Sequence, residues 1–187
     1  MRAITLHRPW DWAMAHGGKN IENRPWAPWS SVIGTRIALH AGKHFDEEGA
    51  RSIASIRIMG TTEIENMRAS SKDSVIVATT ELVGYVRITT GRRVLDHGKL
   101  SSEQLLEALE SPWLFGPFGW LVRGTVALPE PVPCKGALGL WKLPPAVERE
   151  VLRQEEAVMI GAITGVQCGD CNGAGCPDCH YGEKHWP

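Results

Sequence analysis

Two groups of residues have types and spacings suited to chemistry. Cys168, Cys171, Cys176 and Cys179 form two C-x-x-C pairs close together near the end of the chain. Thiolates at that spacing are soft ligands able to close a tetrahedral shell around one zinc ion, and Gly169, Gly173, Gly175 and Pro177 supply the tight turns it needs. A disulfide pairing would not require those small residues between the pairs. With four sulfur ligands no coordination position stays open, so the expected zinc is structural, one per chain. His180 and His185 are spare ligands near enough in sequence to compete. The fifth cysteine, Cys134, sits far upstream between Pro133 and Lys135 and is not expected to bind the metal.

The second group is Lys19, Glu22 and Arg24, which follow the pair Gly17-Gly18. A lysine and an arginine can contact phosphate or base acceptors, the arginine through a planar two-pronged fork. Between them a glutamate can accept from an exocyclic amine or orient the lysine. Trp26 lies two residues on, and His7, His40 and Lys43 can join from neighbouring strands. The plainer alternative is that Glu22 bridges Lys19 or Arg24 on a solvated face. The chain has eight tryptophans, and bases stack on such rings with about 1–3 kcal/mol each. Large aromatics in a small domain are more often core, so one or two at most are expected to meet a ligand, with Trp120 and Trp141 assigned to packing.

The elements that must position these residues are short. Ala3 to Leu6 reads as a strand, and Pro9 opens a helix through Trp10, Trp12, Ala13 and Ala15 that Gly17-Gly18 stops. Ile21 to Trp26 is extended, with Glu22, Arg24 and Trp26 on one side. Thr35 to His40 is an apolar strand and Asp46 to Met59 an amphipathic helix. Val75 to Ile88 supplies two strands meeting near Gly84, or one long bent strand. Ser101 and Gln104 form a capping box for a helix that Pro112 ends. A strand from Trp120 to Leu128 leads to Pro129, Pro131 and Pro133, which leave little room for a central strand and suggest an extended rim. Gly136 to Trp141 is the last strand, and Pro144-Pro145 introduces a helix through Met159. Short strands interrupted by helices favour an α+β fold over a doubly wound sheet.

Bulk properties narrow the classes. With 187 residues and 43% hydrophobic content the chain can bury one full core plus a small appendage. No apolar run is long enough to span a membrane, and the N-terminus lacks the pattern of a secretory leader. Reduced, clustered cysteines fit a cytoplasmic setting. A net charge of −1 gives no general case for a nucleic-acid partner. Residues 1–44, however, hold six basic against two acidic side chains, a local excess of +4, with four histidines besides.

Three blocks in that region resemble the ASCH domain of the PUA-like superfamily: Ile4-Thr5-Leu6-His7-Arg8-Pro9-Trp10, Gly18-Lys19-Asn20-Ile21-Glu22-Asn23-Arg24-Pro25-Trp26, and Arg36 to Lys43. Gly116 to Trp120, Pro131 to Gly136 and Gly139 to Trp141 resemble the closing portion of longer ASCH proteins. The resemblance implies a small mixed PUA-like β-barrel with flanking helices over residues 1–143. Residues 144–160 then form a linking helix, and 161–187 the four-cysteine module, a zinc knuckle. It also implies a cleft for RNA, modified bases or nucleoside-like ligands, edged by the Trp10 to His16 helix and by Lys19 to Arg24.

The function expected is therefore binding of a nucleic acid or modified nucleotide, single-stranded RNA first, through Lys19 and Arg24. One alternative is a hydrolase acting on RNA or an acylated nucleoside with Lys19 and Glu22 as its catalytic pair. Certain ASCH-like proteins resemble amidohydrolases that use a lysine and a threonine three residues later. Here the threonine position holds Glu22, so the hydroxyl is missing. Another alternative is a protein-interaction module stabilised by zinc, with the C-terminal module meeting the partner.

Overall fold

The computed structural model describes residues 1–164, apart from the side chains of 61, 63, 66, 70 and 162–164. The four zinc-ligand candidates, with His180 and His185, lie outside the described residues.

Among the described residues, seven strands and five helices make an α+β fold, as the strand-and-helix pattern indicates. The first strand, β1 (Arg2–Arg8), alternates strictly enough that Ile4 and Leu6 enter one core while Ala3 enters another. Pro9 follows through a cis bond, and helix α1 (Trp10–Ala15) runs as far as His16. Gly17 cannot carry a side chain there, because a Cβ would stand 2.8 Å from Ala13 Cα. Gly18 then takes a left-handed φ of 71°, and the chain turns into β2 (Ile21–Arg24).

β3 (Thr35–Phe45) pairs parallel with β1, the only parallel pairing in the sheet among the described residues. Helix α2 (Glu47–Arg57) is capped by Asp46, whose Oδ1 accepts from Gly49 N at 2.8 Å. Its Oδ2 accepts from Trp10 Nε1 at 2.9 Å, which fixes α2 against α1. Next come α3 (Thr61–Ser70), β4 (Val75–Ile88), β5 (Val94–Gly98) and α4 (Ser102–Glu110). β4 is one long strand, irregular near Gly84 as a bent strand should be. The capping box at Ser101 and Gln104 is formed on both sides. Neither α3 nor β5 was expected from the sequence. β5 offers only two apolar residues, Val94 and Leu95, and no alternation.

β6 (Phe118–Pro133) carries a correction, because the strand continues through all three prolines instead of ending at Leu128. Val132 and Pro133 pair with Ile76 and Val75. β2 covers only the Phe118 to Leu121 end of β6, so the prolines fall where one edge has no strand neighbour to demand an N–H. After β7 (Leu140–Lys142), helix α5 (Pro145–Thr164) packs on β6 and β4. The sheet order is β2-β6-β4-β3-β1-β7, with β5 added to β4. Val151 is fully buried, and the buried Glu155 joins Arg36 and accepts from Thr79 Oγ1 at 2.6 Å. No helix among the described residues is long and apolar enough to cross a membrane.

Candidate functional site

β2 sets the candidate site because its register on β6 is fixed twice. Backbone pairing places Glu22 opposite Trp120 and Arg24 opposite Phe118. Between them, Asn23 points to the other side and clamps the turn before β6. Its Oδ1 accepts from Phe115 N and Gly116 N, each at 2.9 Å, and its Nδ2 donates to Trp113 O at 2.8 Å. The extended backbone thus sends Glu22 and Arg24 together to one face.

On that face Glu22 is shared by two cations. Lys19 Nζ lies 2.6 Å from Glu22 Oε2, and Arg24 Nη2 lies 2.9 Å from Oε1. Lys19 also donates to Ile21 O at 2.5 Å and stands 5.6 Å from the centre of the Trp10 ring. Arg24 donates to Thr5 O at 2.9 Å, which ties β2 to β1, while its Nε is buried without a hydrogen-bond partner. Lys19 and Glu22 are 3% and 7% exposed, which disposes of the solvated-face alternative. Arg24, with its side chain 22% exposed, is the most accessible of the three. Burial pushes the Lys19 ammonium below its usual range, against the opposing pull of Glu22 and with a smaller push from Arg24. Two cations on one carboxylate leave the cluster one positive charge in excess when both are protonated.

The remaining candidates lie apart from this cluster in their contacts. Trp26 packs edge-on against Trp120 at 4.7 Å, and its carbonyl accepts from Trp120 Nε1 at 3.0 Å. Trp120 is fully buried, and Trp141 donates to Thr5 Oγ1 at 3.1 Å. His7 is exposed and meets His44 ring to ring at 4.7 Å. His40 is buried, with Nε2 2.9 Å from Cys134 O, an arrangement that makes Nε2 the protonated nitrogen. Burial also lowers its pKa. Lys43 is exposed.

The basic excess of residues 1–44 is largely used inside the protein. Arg8 donates to the carbonyls of Gly42, Ser71 and Lys43, and Arg36 holds Glu155, Thr79 and Gly124 O. Spacing gave no sign of this, because the acceptors come from distant segments. Among the described residues no cluster of three or more His, Cys, Asp or Glu side chains could hold a metal ion.

No family model and no curated protein sequence matches the chain. Solved structures do. The crystal structure of ASCH from Zymomonas mobilis covers 81% of this chain and 93% of its own, at 14% identity and a TM-score of 0.45. Two mutant forms of that protein match with the same identity and score, over 94% and 96% of their length. Those structural neighbours are ASCH proteins.

Proposed function

We propose that this chain is a binding module for a modified nucleotide or a short single-stranded RNA, with Arg24 as the ligand-facing cation. The observation that supports it is the shared carboxylate: Lys19 and Arg24 both hold Glu22, and Arg24 is the member that reaches solvent. Glu22 pre-orients the guanidinium, so little freedom remains to be lost when it meets a phosphate or base edge. With Arg8 and Arg36 engaged internally, the ligand meets a local cation and not a long basic groove. That favours a nucleotide or a few residues of strand over extended duplex.

The test is titration of a labelled short RNA and of modified nucleotides with wild type, Arg24→Lys and Arg24→Ala. Loss of the planar fork in Arg24→Lys should weaken binding about tenfold, close to the loss in Arg24→Ala. Unchanged affinity in Arg24→Ala, or no measurable binding by wild type, removes this reading.

A second reading rests on Lys19. Its depressed pKa is what a general base needs, and it would make the protein a hydrolase of RNA or an acylated nucleoside with Glu22 as partner. N4-acetylcytidine should nevertheless stay intact, because both buried groups are hydrogen-bonded to each other and no hydroxyl replaces Glu22. Turnover abolished by Lys19→Met would reverse the order of the two readings. For the C-terminal cysteines we propose one structural zinc per chain, with a partner protein as that module's alternative use.

A further inference from the structure

β1 and β3 run in regular register from Arg2 and Ile37 to Leu6 and Ala41, and resume at Arg8 and Phe45. Between those points His7 alone faces Gly42, Lys43 and His44. The extra residues make a bulge, a device that re-aims a side chain at the point where the ladder is interrupted. Its result is a meeting of two histidines. The rings of His7 and His44 lie with centres 4.7 Å apart and planes at 72°. Both residues are exposed, so burial does not account for the approach.

The backbone on each side of the pair is held. Arg8 Nε donates to Gly42 O at 3.0 Å and Nη2 to Lys43 O at 2.8 Å, while Asp46 N donates to Arg8 O at 2.6 Å. A Cβ on Gly42 would stand 2.8 Å from Leu6 O, so the bulge is pressed close against β1. Two imidazoles are therefore presented to water from fixed backbone.

Their separation is that of two ligands on one metal ion. An imidazole nitrogen binds zinc at about 2.0–2.1 Å, which puts the ring centre about 3.2 Å from the ion, and two such rings at about 90–109° have centres about 4.5–5.2 Å apart. The observed spacing falls inside that interval. The tilt is permitted too, because a coordinated ring turns about its metal–nitrogen bond. Charge nearby is mixed: Asp46 interacts electrostatically with His7, while Lys43 is exposed beside His44. Both Asp46 oxygens are engaged, by Gly49 N and Trp10 Nε1, so it supplies field and not a ligand. A site of two nitrogens suits copper, nickel or zinc, with copper bound most tightly, and not magnesium or calcium, which take oxygen.

We propose that His7 and His44 chelate one divalent transition-metal ion, with water completing its shell and the ion tying β1 to β3 across the bulge. This site shares no residue with the Lys19 cluster and does not depend on the Arg24 reading.

The experiment is a titration of the full chain with nickel(II), followed by protein NMR. Nickel is used in place of copper because it does not oxidise the chain's cysteines. Its unpaired electrons should broaden the amide signals of His7 and His44, and magnesium should leave them unchanged. His7→Ala and His44→Ala should each lower the nickel affinity read from those signals about tenfold or more, since the remaining imidazole holds the ion through one bond. Both side chains are exposed, so the variants should fold. Nickel taken up by the C-terminal cysteines and histidines is told apart because its effects survive both substitutions. Sharp His7 and His44 signals in the presence of nickel, broadening that persists in either variant, or an equal response to magnesium would overturn the proposal.

Discussion

Lys19 and Arg24 hold opposite oxygens of the one Glu22 carboxylate, at 2.6 and 2.9 Å. Removing the centre of that arrangement therefore differs from removing an arm. Glu22→Gln leaves two cations with no counter-charge in a mostly buried place and should destabilise the fold by about 3–5 kcal/mol. Lys19→Met keeps the volume and leaves Glu22 paired with Arg24, so it should cost clearly less. Urea denaturation of both variants measures the difference, and equal losses would mean the cluster does not act through its carboxylate.

Asp11 gives a pH signature. Its folded pKa of about 6 stands above the ordinary 3.8, so the folded state holds the proton more tightly than the unfolded chain. The penalty for burying the charge is absent below about pH 4, grows between 4 and 6, and is complete above 6. It then amounts to about 2–3 kcal/mol. Stability from this group thus falls as pH rises. Asp11→Asn should gain on wild type between pH 4 and pH 8 by about that amount, read as the difference between two denaturation series.

Gly136 lies where a side chain does not fit. A Cβ there would stand 2.4 Å from His40 Cε1 and 2.8 Å from Nδ1, and the ring is fixed by its bond to Cys134 O. Gly136→Ala should cost about 1–3 kcal/mol, visible as a lower melting temperature. Pairing it with His40→Ala should recover part of that loss.

Zinc-replete purification should give about one zinc per chain by elemental analysis, and Cys168→Ser with Cys171→Ser should abolish it. Cys134→Ala should leave the content unchanged. That thiol is buried, and burial raises its pKa, so it stays protonated and makes a poor ligand.

Much of this was legible in the chain because it is local. Strand periodicity alone puts Glu22 and Arg24 on one face, and Gly17-Gly18 marks where α1 must stop before Lys19. The capping box at Ser101 and the prolines Pro9, Pro112 and Pro144-Pro145 marked helix ends for the same reason. What escaped is set by distant partners. His7 and His44 are far apart in sequence, and nothing near either announces that their rings meet. The charge of residues 1–44 read as a basic face, yet Arg36 is held by Glu155 on a helix far along the chain. α3 and β5 lacked the strong periodicity that a sequence pattern needs, and their neighbours in the fold define them.

Arg8 joins three carbonyls, those of Gly42, Ser71 and Lys43, at 3.0, 3.1 and 2.8 Å. A guanidinium can do this because its five N–H groups leave in fixed directions from one plane. The acceptors carry no net charge, so these bonds lack the long-range attraction between ions that dissolved salt screens. Arg24 is bound to Thr5 O in the same manner, and its ion pair with Glu22 is mostly buried, where salt screens far less. Raising the ionic strength should therefore leave this lacing largely intact while it weakens contacts to a phosphate. A fall in RNA affinity on adding salt can then be assigned to the ligand's own charges, without a correction for a loosening protein.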